Sequence, residues 1–269
     1  MIANARMYAV TPTVEAAWRT LIGHVTDEAG STLDYLPYPA PQPLEPLWRR
    51  PDLGCVLMCG FPIALGLAEV QPIAAPIPAA PWAEGRPVYR TDLIVRADNP
   101  ARVLQDTFGG TLGWTVEHSH SGFNALRHHL LAYRTPDRPQ PFARVSGPLV
   151  TARAVLDGVL DGTITVGPLD GYWHLLIRQH APDLLAGVRV LDSTQTAPMP
   201  AFVMAASRPQ AERDRLAAAF VAAAGRPWFG PLAHTLHLSG FAPMQRDDYA
   251  LTLQWDSEAK AQDFSSLVV

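Results

Sequence analysis

Cysteine and long apolar runs are scarce in this chain, and each absence excludes a class of protein. Cys55 and Cys59 are the only cysteines of its 269 residues. They share one apolar run and have no second Cys or His pair at metal-ligand spacing, which predicts two buried thiols and no metal site. No run reaches the roughly 18 apolar residues that span a bilayer, which predicts no membrane span. Because no signal peptide is visible, we expect a cytoplasmic protein as written, or a periplasmic one if the sequence was trimmed.

Positive charge is also limited. Lysine and arginine total 21 against 25 acidic residues, for a net charge of −4. This balance gives no basic surface and so predicts no nucleic-acid partner. The Gly-x-Gly-x-x-Gly turn, the Gly-Lys-Ser/Thr phosphate motif and a nucleophile–base–orienter set are missing too, and no cofactor is predicted. The 48% hydrophobic share is that of a globular protein.

Short apolar strands alternate with amphipathic helices along the chain. Thr11 and Pro12 predict the start of a helix that continues to Glu28, and residues 54–58 are apolar enough for a strand buried on both faces. Further strands are predicted at residues 6–10 and 162–166, and a helix from Asp98 toward Phe108. The order predicts an α/β protein of two lobes, residues 1–92 with 197–269 and residues 93–196. Each lobe is expected to be a mostly parallel sheet flanked by helices, with the ligand cleft between the lobes.

Residues 111–131 (TLGWTVEHSHSGFNALRHHLL) are the most informative segment. A short apolar strand is joined to a helix by His118-Ser119-His120-Ser121-Gly122, here called the serine loop. Hydroxyls and backbone N–H groups at the positive end of a helix dipole can hold a small anion. In the alternative interpretation, Ser121 is an ordinary N-cap and Ser119 a turn residue.

Individual residues near this segment are further candidates for ligand contact. Ser119, Ser121 and Asn124 are expected to hydrogen-bond the ligand, and Gly122 to let the backbone approach it closely. The two loop histidines would add a pH-dependent positive charge to an anion site. Surface or rim histidines are favoured over metal ligands, because the spacing has no zinc signature.

The carboxyl end of the strand at residues 54–58 is a second candidate position. Gly60 and Phe61 follow this strand directly, and ligands of open α/β sheets bind at such ends. Phe61 fits an interior packing role equally well.

Several stretches resemble the phosphate/phosphonate-type substrate-binding proteins of ABC importers, which have the type II periplasmic-binding-protein fold. GRPVYRTDLIVR is similar to the strand of the family that crosses between lobes, and EHSHSGFNAL to its phosphate loop. VSGPLVTARAVLDGVLDGTITVGPLD resembles a second family signature, and DSTQTAPMPAFVMAAS the return strand. The resemblance covers about residues 54–224.

This resemblance implies a non-enzymatic protein that closes two lobes over a small anionic or zwitterionic ligand, with an ABC transporter permease as a possible partner. It adds Tyr89, Thr151 and Asp170 to the expected ligand-binding residues. Asp170 would favour an amine-bearing ligand, although an aspartate in the first turn of a helix also complements the dipole. Pro148 stands where the family usually has a histidine, so one phosphonate contact is expected to be missing.

Two other functions stay open at the level of sequence. Cytoplasmic enzymes of menaquinone or thiamine-pyrimidine biosynthesis resemble the same fold, and here His118, His120 and Asp170 would be the acid/base candidates. An effector-binding module of a regulator is less favoured, because no helix-turn-helix precedes the domain.

Overall fold

The computed structural model describes residues 1–267, in which strands and helices alternate. The strands are β1 (Ile2–Asn4), β2 (Asp34–Tyr35), β3 (Leu53–Met58), β4 (Val70–Pro78), β5 (Val88–Tyr89), β6 (Thr91–Arg96), β7 (Thr111–Gly113), β8 (Arg144–Ser146), β9 (Gly167–Asp170), β10 (Val188–Ser193), β11 (Ala197–Pro198), β12 (Ala201–Ala205) and β13 (Leu238–Pro243). The helices are α1 (Pro12–Glu28), α2 (Glu45–Trp48), α3 (Gly60–Leu65), α4 (Ala125–Leu130), α5 (Ala152–Leu160), α6 (Gly171–His180), α7 (Gln210–Ala222), α8 (Phe229–Leu236) and α9 (Ala250–Ala261). The α/β class predicted from the sequence is confirmed.

The chain folds as two compact units. The first contains Met1–Tyr89 and Pro198–Ala250, and the second contains Arg90–Ala197 and the described residues from Leu251 onward. The sequence had predicted residues 251–269 as part of the first lobe instead. The difference has a physical cause in α9, where Trp255 stacks on His120 and His128 of the second unit.

The first unit is built on a six-stranded sheet in the order β13-β4-β12-β3-β1-β2. Strand β1 is parallel to β2 and β3, whereas β12 is antiparallel to both β3 and β4, and β13 to β4. The sheet is therefore mixed, where a mostly parallel one was expected. Every residue of β3 is buried, as its apolar sequence predicted. Helix α1 has its predicted bounds, with the Thr11 hydroxyl accepting from Val14 N at 3.3 Å.

The second unit has a three-stranded antiparallel sheet, β10-β6-β9, and a parallel pair, β7 and β8. One apolar cluster joins Trp114 and Phe123 to Leu126, and another joins Ile94 to Val155 and α5. The mixed pairing differs again from the expected parallel sheet. These clusters fix the carboxyl end of β7 relative to the helices that follow it.

Several local predictions were wrong. The strand expected at residues 6–10 is a 3₁₀ turn, Arg6–Tyr8, and the strand lies earlier, at Ile2–Asn4. The strand expected at residues 162–166 lies at Gly167–Asp170 instead. In place of the helix from Asp98 there is only a 3₁₀ turn, Leu104–Thr107, closed by the Asp106 carboxylate.

Strand β4 was missed by the sequence analysis. It contains Pro72, Pro76 and Pro78, and proline is a poor strand signal because it lacks the N–H of a sheet ladder. Among the described helices, none combines the length and the apolar character that crossing a membrane requires.

Candidate functional site

The serine loop forms the capped turn that its sequence predicted. Ser119 is extended, and its Oγ accepts from Gly122 N at 3.0 Å, so the N-cap is Ser119 rather than Ser121. One π-helical turn, His120–Asn124, follows and continues into α4. The loop thus presents the amino end of a helical segment at the carboxyl end of β7.

Thr115 connects this loop to a second one. Its backbone N–H donates to Gly122 O at 3.2 Å, and its carbonyl accepts from Val150 N at 3.3 Å. Val150 belongs to residues 147–151, here called the Thr151 loop, which opens α5. The Thr151 hydroxyl caps α5 by accepting from Ala154 N at 3.1 Å. The segments that begin both helices therefore hydrogen-bond to one residue, Thr115, just beyond β7 in the second unit.

Two buried polar groups just after β7 lie against these loops. Thr115 Oγ1 and Trp114 Nε1 have no hydrogen-bond partner among residues 1–267, and the residues are 7% and 3% exposed. A Cβ on Gly122 would overlap Thr115 Oγ1, and one on Gly147 would lie 2.5 Å from Trp114 Nε1. An unsatisfied buried polar group destabilises a fold by about 1–3 kcal/mol, so its retention requires a reason.

Thr115 and Trp114 were not among the candidate residues predicted from the sequence. Both follow an apolar strand and give no local signal of polar function. Each side chain packs against a glycine of a neighbouring loop, Thr115 against Gly122 and Trp114 against Gly147. These contacts are visible only in the folded chain.

The serine loop is held on its other side by β6. Thr91 Oγ1 donates to Ser121 O at 3.0 Å, and Thr91 N donates to Thr194 Oγ1 at 3.0 Å. Ser121 is buried, with 8% exposure. The loop is thus fixed by hydrogen bonds from Thr91 of β6 and from Thr115 beyond β7, and such preorganisation suits a binding site.

The two loop histidines lie in different environments. His118 is partly exposed, whereas His120 is buried and stacks on the Trp255 ring at 5.3 Å. Burial, with a smaller effect from the neighbouring His128, lowers the pKa of His120 to about 3. His120 is therefore neutral near pH 7, and the positive charge expected from it is not available there.

The side chain of Asn124 is occupied by other contacts of the second unit. Its Oδ1 accepts from Arg127 Nη2 at 3.2 Å, and its Nδ2 donates to Thr252 O at 2.8 Å. The His120 ring nitrogen lies 3.3 Å from the same Nδ2. These contacts give Asn124 a role in attaching α9 to α4.

Asp170 is the N-cap of α6. Its Oδ1 accepts from Tyr172 N at 2.9 Å and from Trp173 N at 3.0 Å. This carboxylate oxygen thus satisfies helix N–H groups, which is the dipole-complementing role that the sequence analysis gave as its alternative.

The candidates of the first unit come together around the start of α3. Cys59 Sγ lies 3.5 Å from the Tyr89 hydroxyl. Gly60 packs against the Tyr249 ring so closely that a Cβ would overlap it, and Tyr249 donates to Met199 O at 3.0 Å. Phe61 and Tyr89 are only 4% and 1% exposed. Gly60 is the position where the backbone has to be free of a side chain.

Residues 1–267 contain no group of three His, Cys, Asp or Glu side chains placed to hold a metal ion. Cys55 and Cys59 are buried thiols outside any disulfide, as their apolar surroundings predicted, and burial raises the pKa of Cys55.

Comparison with known proteins identifies the family. Residues 9–249 match the family model described as ABC transporter, phosphonate, periplasmic substrate-binding protein. The chain belongs to this family. No curated protein sequence matches it. Because the members of this phosphonate family are substrate-binding proteins of ABC transporters, the enzyme alternative is not favoured.

Solved structures show the same fold as this phosphonate-family protein. A binding protein component of an ABC phosphonate transporter from Pseudomonas aeruginosa has a TM-score of 0.79 at 14% identity, covering 97% of this chain and 87% of that one. PhnD1 from Prochlorococcus marinus, in complex with methylphosphonate, has a TM-score of 0.78 at 11% identity, covering 97% and 98%. The aliphatic sulphonate binding protein SsuA from Escherichia coli has a TM-score of 0.56 at 17% identity, covering 99% and 88%.

Proposed function

We propose that this protein is the solute-binding component of an ABC importer and that its serine loop binds a small phosphonate- or sulfonate-type anion. The observation that carries the proposal is Thr115. Its buried hydroxyl has no partner in the described chain, and its backbone joins the serine loop to the Thr151 loop. An anionic oxygen bound here would accept the hydrogen bond that the fold leaves unmade.

The donors of the proposed site are neutral hydroxyls and backbone N–H groups. Ser119 Oγ and Thr151 Oγ1 each accept from a helix N–H, so each keeps its own proton to donate to a ligand oxygen. The first N–H groups of a helix have no partner within the helix, and the dipole there favours negative charge. Ser121 and Gly122 complete this set, Gly122 by leaving room for the Thr115 hydroxyl beside the loop.

Other predicted contacts divide into two groups. Gly60, Phe61 and Tyr89 of the first unit stay predicted contacts, supported by their position at the carboxyl end of β3, where Cys59 Sγ lies 3.5 Å from the Tyr89 hydroxyl. Asn124 and Asp170 are left out of the proposed ligand set, because their side-chain atoms already hold backbone and side-chain partners.

The partner and the location of the protein follow from its family. We propose docking to an ABC permease and a periplasmic location, supported by the family description. Fractionation of cells that express the native gene tests the location, which is contradicted if the protein stays with the cytoplasmic fraction.

Isothermal titration with methylphosphonate, an aliphatic sulfonate and inorganic phosphate tests the site. The double substitution Ser119→Ala/Ser121→Ala removes two hydroxyl donors, and each hydrogen bond to a charged group contributes about 1.5–3 kcal/mol. We therefore expect the Kd of the best ligand to rise at least about tenfold. Ser257→Ala, at an exposed serine of α9, is the matched control and should leave the Kd unchanged. Unaltered affinity in the double variant would show that the ligand binds elsewhere, and chemical conversion of the ligand would refute a pure binding role.

A further inference from the structure

Val150 has an unusual backbone conformation and an unusual exposure for a valine. Its φ is +67°, in the left-handed region that β-branched residues rarely adopt. Its side chain is 42% exposed, which makes it one of the few large apolar residues at the surface of the described chain. A strained residue is retained only where its surroundings fix it, and such residues cluster at functional sites.

Val150 is hydrogen-bonded to the residue that also contacts the serine loop. Its N–H donates to Thr115 O, and Thr115 in turn donates to Gly122 O. The isopropyl group therefore belongs to the same corner of the second unit as the serine loop. Pro148, two residues earlier, is also exposed. The Thr151 loop presents apolar surface beside donors suited to an anion.

The carboxylates of the neighbouring strands already have partners. Asp92 accepts from Ser193 Oγ at 2.8 Å, lies 2.8 Å from His174 Nδ1 and forms an ion pair with Arg90 at 2.9 Å. Asp192 lies 2.9 Å from His129 Nε2, and Asp170 caps α6. An ammonium group of a ligand would have to compete with these contacts. Glu117, in the segment before the serine loop, is the exposed acidic residue that could bind one instead.

We propose that Val150 is a specificity-determining residue that contacts the organic substituent of the bound anion and favours an uncharged alkyl group over an amine-bearing one. This inference rests on the proposed function, because it assigns the substituent of the anion that the serine loop binds.

Three phosphonates that differ in their organic substituent test the inference: methylphosphonate, butylphosphonate and 2-aminoethylphosphonate. In the unchanged protein we expect butylphosphonate to bind more tightly than the other two. Val150→Gly removes the isopropyl group and suits the positive φ, so this variant should fold at least as well as the parent. It should weaken butylphosphonate binding by about tenfold, the lower end of what a methylene contributes in an apolar site, and change methylphosphonate binding by less than about twofold.

Val103→Ala is the matched control, because Val103 is an exposed valine of the same unit, 51% exposed, at a negative φ. It should alter none of the three affinities. Equal loss of methylphosphonate and butylphosphonate affinity in Val150→Gly would overturn the inference, because a merely structural role predicts that result. Tighter binding of 2-aminoethylphosphonate than of butylphosphonate in the unchanged protein would also overturn it, and would indicate that Glu117 binds the ammonium group. If none of the three phosphonates binds, the inference is overturned, and the proposed function fails with it only if the aliphatic sulfonate does not bind either.

Discussion

His120 illustrates, at the scale of one residue, how burial changes the chemistry of a side chain. A histidine in a polar loop suggests a cation near an anion site, yet the ring is 2% exposed and stacked on Trp255. Burial disfavours its charged form and lowers its pKa to about 3. Ligand binding near neutral pH should therefore not depend on the charge of His120.

The buried neutral ring predicts how stability depends on pH. The ordinary pKa of 6.5 applies to the unfolded chain, and the folded value is about 3. Between these values the unfolded state binds the proton and the folded state does not. This contribution to stability is complete above pH 6.5 and falls by about 1.4 kcal/mol per pH unit as the pH drops toward 3. Urea denaturation between pH 4.5 and 7.5 gives the free energy of unfolding as a function of pH. Below pH 6.5, the slope of this curve for His120→Gln should correspond to about one proton fewer taken up on unfolding than in the parent protein. Equal slopes in both proteins would contradict the assignment.

At the scale of elements, α9 is joined to α4 by buried charge as well as by the Trp255 stack. The Arg127 guanidinium, 1% exposed, pairs with Asp256, which Lys260 also contacts at 2.6 Å. Burial raises the pKa of Asp256, but the hydrogen bonds and charges of Lys260 and Arg127 outweigh it and lower the pKa overall. The Phe123 ring lies 5.0 Å from the guanidinium carbon. The helix that follows the serine loop is thus held to α9 by the buried Arg127–Asp256 ion pair.

Removing one partner of this buried pair should lower the free energy of unfolding far more than removing one partner of an exposed pair. Asp256→Asn leaves the Arg127 charge buried without its carboxylate, which typically destabilises a protein by about 3–5 kcal/mol. Asp157→Asn breaks the exposed Arg153–Asp157 pair and should change the free energy of unfolding by less than about 1 kcal/mol. Chemical denaturation of both variants measures the contrast. Similar losses would show that the buried pair contributes no more than a surface pair.

At the scale of the whole molecule, each unit is assembled from two separate parts of the chain. The backbone passes from one unit to the other after Tyr89, after Ala197 and after Ala250. The last passage brings Trp255 and Asp256 into the second unit, where they contact residues more than 120 positions earlier in sequence. A segment near the end of the chain thus supports the proposed ligand loop.

Truncation before Leu251 tests this arrangement. The shortened chain lacks Trp255 and Asp256, so Arg127 loses its carboxylate partner and the ring that stacks on His120 and His128 is lost. We expect loss of protease protection within residues 90–197, greater than for Asp256→Asn. Limited proteolysis followed by mass spectrometry locates the cuts. Protection equal to that of the full chain would show that the segment is dispensable for the second unit.

The sequence by itself determined the α/β class, the family, the buried strand β3 and the bounds of α1. These features depend on local patterns, such as an unbroken apolar run or the Thr11 hydroxyl that accepts from the N–H of Val14 three residues later. Only the tertiary structure decided that His120 is neutral, that Asn124 holds α9 and that Thr115 and Trp114 are buried without partners. It also decided the mixed sheets and the placement of the last segment. Burial and long-range pairing arise when distant segments pack together, and neither leaves a periodic pattern in a single sequence.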